Sequence, residues 1–160
     1  MAETQIVAAP GVPQIVITRR FDAPPDLLFR AHVEPELIVR WLGPRRLKLT
    51  VDLLDARHGG MWRHTHRDSD GVPFVLHGVY HGTPSPGGIV QTYEAEEAPG
   101  HVFLCTTTFE ARDGGTLLRQ NTVFQSIEDR DGYVAAGMEE GVNESMERLA
   151  ELAARLTREV

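Results

Sequence analysis

The sequence predicts an α+β fold: a curved antiparallel sheet of about seven strands wrapped around one long C-terminal helix. Three observations carry this. Six strand-like stretches between residues 46 and 124 are separated only by tight turn signals, and connections so short force antiparallel neighbours. The last thirty or so residues carry a single apolar stripe at helical spacing. Two short helical bursts, each opened by proline, stand between the first strand and the rest.

Taken in order, "QIVITRRF" (14–21) is β-branched and partly alternating, so it reads as a strand. Asp22 can cap the next element, and Pro24 and Pro25 suit a first helical turn, where an N–H has no intrahelical partner. Leu27, Leu28 and Ala31 share one face of that helix. Pro35 opens a second helix, in which Leu37, Ile38 and Trp41 repeat the spacing. Gly43 can take the left-handed C-terminal position, and Pro44 cannot continue the helix. Neither helix is long enough to stand alone in water, so the pair must lie on a broad apolar surface. The strands expected next are 46–55, 59–68, 73–83, 88–96, 101–111 and 115–124. A sheet of that size curls. A final helix is expected over 131–157, because Val134, Met138, Val142, Met146, Leu149, Leu152 and Leu156 form one stripe. Glu144–Arg148 and Glu151–Arg155 are i, i+4 pairs expected on its wet face. The economical closure curls the sheet around this helix, with the two short helices plugging one end.

Composition narrows the function classes. The chain has 160 residues, 41% hydrophobic, with a net charge of −7. That balance argues against a nucleic-acid or anionic-membrane surface, and Arg45, Arg46 and Lys48 are too few to reverse it. The single cysteine, Cys105, allows no internal disulfide and no cysteine-based zinc site, which fits a cytoplasmic protein. No secretory signal and no membrane span is expected. Residues 1–12 read as a flexible arm and 13–160 as a single domain.

Several stretches also look familiar. "FDAPPDLLFRAHVEPELIVRWLGP", "GGMWR", "DGVPFVLHGVY", "GGTLLRQNTVF" and "GMEEGVNESMERLAEL" resemble the homologues of the heat-shock-protein-90 ATPase activator, a family of the START-like, Bet v 1-type (SRPBCC) superfamily. The resemblance spans about residues 14–156 and implies the helix-grip fold. It also implies that a ligand, in superfamily members a lipid, sterol, polyketide or hormone, is held between sheet and helix, and that some members catalyse cyclisation. The family often has W-W-G-P where this chain has Leu42, and tryptophan where it has Val142. Both differences remove aromatic surface around the grip.

Alternation along the strands sorts the lining residues. Arg63, Thr65 and Arg67 share one face and the arginines belong in water, so Trp62, His64 and His66 are expected inward. Phe103, Cys105, Thr107 and Phe109 share a face, as do Leu118, Gln120, Thr122 and Phe124. Val134, Met138, Val142 and Met146 are expected to face them from the helix, along an edge of small residues (Gly137, Gly141, Ser145). The candidate ligand-binding set is Trp41, Trp62, His64, His66, Phe103, Cys105, Leu118, Gln120, Met138 and Val142. No catalytic residue is nominated. Cys105 reads as a small buried hydrophobe. His64 and His66 could share a metal only with a third ligand, for which His77 and His81 are candidates, and the expectation is no metal and no cofactor. The expected function is binding of a small, largely apolar molecule as carrier or sensor. The alternatives are a cyclase- or hydrolase-type enzyme in the same space and a co-chaperone-like interaction module. No nucleic-acid or membrane partner is expected, and a homodimer is left open.

Overall fold

The computed structural model describes residues 3–159. Its element order is β1 (Gln5–Val7), β2 (Gln14–Phe21), α1 (Pro25–Val33), α2 (Pro35–Ile38), β3 (Lys48–Leu54), β4 (Met61–Arg67), β5 (Pro73–Val79), β6 (Ile89–Ala95), β7 (Val102–Arg112), β8 (Gly115–Phe124), α3 (Ile127–Ala135) and α4 (Met138–Arg158). The strands form one antiparallel sheet in the order β1-β2-β8-β7-β6-β5-β4-β3.

This order explains the short helices. Strands β3 to β8 follow one another as a meander, but β2 pairs with β8 at the far side. The chain between β2 and β3 must therefore travel from one side of the sheet to the other, and α1 and α2 occupy that path. Trp41, 2% exposed, fastens them together: its indole N–H donates to the Ala31 carbonyl at 2.8 Å. Gly43 (φ 94°) ends the pair in the left-handed region, as its sequence position predicts.

Five expectations need correction. The sheet has eight strands, not about seven, because residues 5–7, within the segment read as an arm, pair with β2 as an edge strand. The short helices consequently follow the second strand, not the first. The C-terminal helix is two helices: Gly137 (φ 88°) lies between them in a conformation that interrupts an α-helix. Val134, placed on the inward stripe, is instead 40% exposed on α3. Nor do Glu144, Glu151 and Arg148 make the expected intrahelical pairs. Glu144 accepts from the Arg45 backbone N–H at 2.9 Å, and Glu151 pairs with the Arg45 guanidinium at 2.8 Å. Arg148 donates to the Gly43 and Arg40 carbonyls at 2.8 and 3.2 Å. With the Gly43 N–H on Ser145 Oγ at 2.8 Å, these contacts tie the end of the helix pair to α4.

The core lies between the inner sheet face and the helices. The larger cluster joins Trp62, Leu118, Phe109, Tyr80 and Ile89 of the strands to Leu28 and Trp41 of the helix pair and Met146, Leu149 and Leu152 of α4. A second, smaller cluster holds Ile15, Ile17, Phe124 and Met138, with Phe103 packed on it. Val142 packs against both.

Candidate functional site

The registers place the inward residues row by row. Along β7 they run Phe103, Cys105, Thr107, Phe109, and their partners on β8 are Phe124, Thr122, Gln120, Leu118. Phe103 and Phe124 belong to the smaller cluster, whereas Phe109 and Leu118 belong to the larger one. Cys105, Thr107, Gln120 and Thr122 thus form a polar belt between two apolar regions. The belt extends to β6, where Gln91 pairs with Cys105. It is neutral. Burial pushes the Cys105 thiol up to about 11, against opposing hydrogen bonds from Thr122, Thr107 and Gln120, so the sulfur is a thiol and not a thiolate at neutral pH.

At the other side of the sheet, Trp62, His64 and His66 point inward from β4, as alternation predicts, and all three are buried. Their registered partners on β5 are Gly78, Leu76 and Phe74. Gly78 is required first by the Thr92 carbonyl, whose oxygen would lie 1.7 Å from a Cβ there, and then by the indole, whose Nε1 would lie 2.9 Å away. Four ring nitrogens in this row are buried with no hydrogen-bond partner: Trp62 Nε1, both nitrogens of His64, and His66 Nδ1. A buried polar atom without a partner costs about 1–3 kcal/mol, so such a concentration marks a place where the fold tolerates an unmet demand. Burial, helped by neighbouring His66, lowers the His64 pKa to about 4. Burial, and then Arg148, lowers that of His66 as well. His66 rests against the turn that follows α2, since a Cβ on Gly43 would lie 3.0 Å from its ring.

Open space reaches only part of this set. A depression of about 330 Å³ opens between the β6–β7 connection and α3, lined by Phe103, Phe124, Val102, His101, Asp129 and Tyr133 among others. From it an unbroken series of aromatic contacts leads inward. Tyr133 meets Phe103 and Phe124 at 5.5 and 5.4 Å between ring centroids, and Phe103 stacks on Tyr93 at 5.1 Å and 6°. Tyr93 meets Trp62 edge-on at 4.6 Å, and Trp62 meets His64 at 4.6 Å.

The structure therefore gathers most of the predicted residues on one concave surface but distributes them. Phe103 lines the opening. Met138 and Val142 close the smaller cluster from α4, Cys105 and Gln120 sit in the polar belt, and Trp62, His64 and His66 lie at the inner end of the aromatic series. Leu118 and Trp41 are both buried in the larger cluster, Trp41 from the turn that follows α2. His77 pairs with Arg63, so it lies on the convex face and does not join His64 and His66. Among the described residues no group of three or more His, Cys, Asp or Glu could hold a metal ion, and no helix is long and apolar enough to cross a membrane.

Sequence reasoning missed Tyr93, Tyr133 and Arg19. Tyr93 follows from the alternation of β6 once Gln91 is placed inward. Arg19 shares the inner face with Leu118, contrary to the rule that placed arginines outward. Its Nη1 donates to Thr4 Oγ1 at 3.1 Å, beside a second, more polar depression of about 590 Å³ between β1–β2 and α4.

No curated protein matches the chain. Among solved structures, a protein of Rhodobacter sphaeroides is 24% identical, with a TM-score of 0.87 and coverage of 96% of this chain and 99% of that one. Protein Ms6760 of Mycobacterium smegmatis is 21% identical, with a TM-score of 0.85 over 93% of this chain and 95% of that one. An Arthrobacter aurescens protein solved by NMR is 19% identical, with a TM-score of 0.86 over 94% and 91%. At these identities the likeness shows the fold. A family model for activator of Hsp90 ATPase homolog 1-like proteins matches residues 22–154, from the turn after β2 through most of α4. On that match and this fold, the chain belongs to the activator of Hsp90 ATPase homolog 1-like family, within the START-like, Bet v 1-type (SRPBCC) superfamily.

Proposed function

We propose that the protein binds a small, largely apolar molecule between the inner sheet face and α4. Phe103, Met138 and Val142 supply apolar wall, and His64, His66 and Gln120 receive a polar end. The observation that carries this reading is the row of four unpartnered ring nitrogens at Trp62, His64 and His66, set among apolar side chains and reached by aromatic contacts from an open depression. Apolar walls with a few convergent polar groups are the usual composition of a small-molecule site. Burial of apolar surface contributes about 25 cal/mol per Å², whereas one satisfied polar contact adds about 1 kcal/mol net. The walls should therefore set affinity and the polar residues selectivity.

Titration with N-phenyl-1-naphthylamine, a neutral fluorescent probe, tests this. Saturable enhancement is expected for the wild type. Val142→Trp, which places the bulk common in the family between the two apolar clusters, should weaken it several-fold while the fold survives. Gln120→Leu should alter preference among ligands of different polarity more than total binding. Absence of saturable binding in the wild type would sink the proposal.

The family description itself favours a second reading, a co-chaperone-type interaction module. That reading predicts stimulation of the ATPase of an Hsp90 protein by the purified chain, an effect a pure ligand carrier does not have.

A further inference from the structure

We propose that the ligand is an uncharged, planar aromatic molecule bearing a hydroxyl or carbonyl group, slotted along Tyr133, Phe124, Phe103 and Tyr93 with its polar group directed at Trp62 and His64. This rests on the ligand-binding reading above and narrows it to a class.

The geometry supplies two arguments. The first is the shape of the wall. From the depression to His64 the inner surface is a succession of ring contacts at 4.6–5.5 Å, with Phe103 and Tyr93 nearly parallel at 6°. A flat ring that enters from the depression and parts the packing beyond it can stack at each step of the series, whereas an alkyl chain gains only buried area. The second is the polarity at the inner end. Trp62 Nε1–H is a donor, and a neutral His64 offers one donor and one acceptor, all unpartnered. A hydroxyl, which both donates and accepts, or a carbonyl, which accepts, answers that demand.

Charge excludes the ionised relatives of such a molecule. Glu128 and Asp129 stand at the opening. Farther in, Arg148 and Arg19 are already engaged: Arg148 donates to the Gly43 and Arg40 carbonyls and Arg19 to Thr4 Oγ1. Burial holds the Tyr93 hydroxyl well above its usual range and keeps His64 neutral at physiological pH. A carboxylate would pass two acids and then lose its water without an unengaged cation to replace it, which is strongly unfavourable.

Matched probes decide the matter: 2-naphthol, 2-naphthoate, naphthalene and 1-decanol, titrated calorimetrically against the intact chain. 2-Naphthol is expected to bind at least tenfold tighter than 2-naphthoate and than 1-decanol. His64→Leu should remove its advantage over naphthalene. Tyr133→Leu changes a ring 37% exposed at the opening, where folding is tolerant, and should weaken both naphthyl probes while sparing 1-decanol. Equal or tighter binding of 2-naphthoate, or decanol binding above naphthol, overturns this inference but leaves the apolar-ligand reading intact. Failure of all four probes sinks both.

Discussion

Two histidines, His32 half-buried and His64 buried, have their pKa values pushed down to about 4, by different surroundings. His32 packs its ring between Trp41 and Phe109 and holds the Leu28 carbonyl at 2.7 Å, and burial dominates its shift. His64, with Trp62 and His66 as neighbours, has no partner at either nitrogen. The stability consequence has a definite sign. Above about pH 6.5 both states are neutral and no difference arises. As pH falls below that value the unfolded chain takes up protons that the folded one refuses, so stability declines until about pH 4, by up to about 1.4 kcal/mol per pH unit for each histidine. Glu34 and Glu96, whose pKa values are lowered first of all by hydrogen bonds from Arg30 and Arg63, add their losses at lower pH. Urea denaturation between pH 7 and 4.5 should show the midpoint falling with acid, and less steeply in His64→Phe. A flat profile, or identical slopes in both proteins, contradicts the burial assigned to His64. The inward direction of His64 was legible in the sequence, because arginines on both sides of it fixed the strand's wet face. Arg19 was not: its stem crosses the inner face, its Nε is buried without a partner, and only its Nη1 reaches Thr4 beside the polar depression.

At the scale of elements, the strands follow from turn chemistry and alternation. The β2 and β8 bounds, Gln14–Phe21 and Gly115–Phe124, were expected as they stand; β3, β4, β6 and β7 differ by a residue or two at their ends, and β5 stops at Val79 where residue 83 was expected. The break between α3 and α4 escaped because the apolar stripe runs on through it: stripe periodicity records which face is buried and is insensitive to one left-handed residue. The paired glycines near it therefore make opposite predictions. Gly137 sits at φ 88°, so Gly137→Ala strains the backbone and should destabilise by about 1 kcal/mol. Gly141 lies inside α4, and an added Cβ there would meet only Pro44 Cδ at 3.9 Å, an ordinary contact. Gly141→Ala should stabilise by up to about 1 kcal/mol through helix propensity. Chemical denaturation of the two variants checks both signs. Gly141 is thus not needed for close packing. The link between the helix pair and α4 has its own test. Ser145→Ala leaves the Gly43 N–H without its acceptor, and Arg148→Ala frees two carbonyls at the helix terminus. Each should cost about 1 kcal/mol or more, and together less than their sum, since they secure one joint.

For the whole molecule, the curled sheet creates one concave face whose centre is filled by packed core and whose end opens beside α3. The expected grip layout was readable from six strands, a stripe and two proline-started helices. How far open space extends was not, because that depends on how tightly Met146, Leu149 and Trp62 pack, and a pattern of apolar positions is the same for a filled and an unfilled interior. The edge strand β1 was missed for a related reason: three residues carry too little periodicity to stand out from an arm.

The central claim is that a small apolar molecule enters this concave space. Amide chemical-shift mapping of the labelled protein during titration with N-phenyl-1-naphthylamine tests it most directly. The account predicts saturable shifts concentrated at Tyr93, Phe103, Cys105, Gln120, Tyr133 and the first turns of α4, with the outward-facing residues of β3 to β5 unmoved. Shifts confined to the convex face, or no saturable shifts at all, would contradict it.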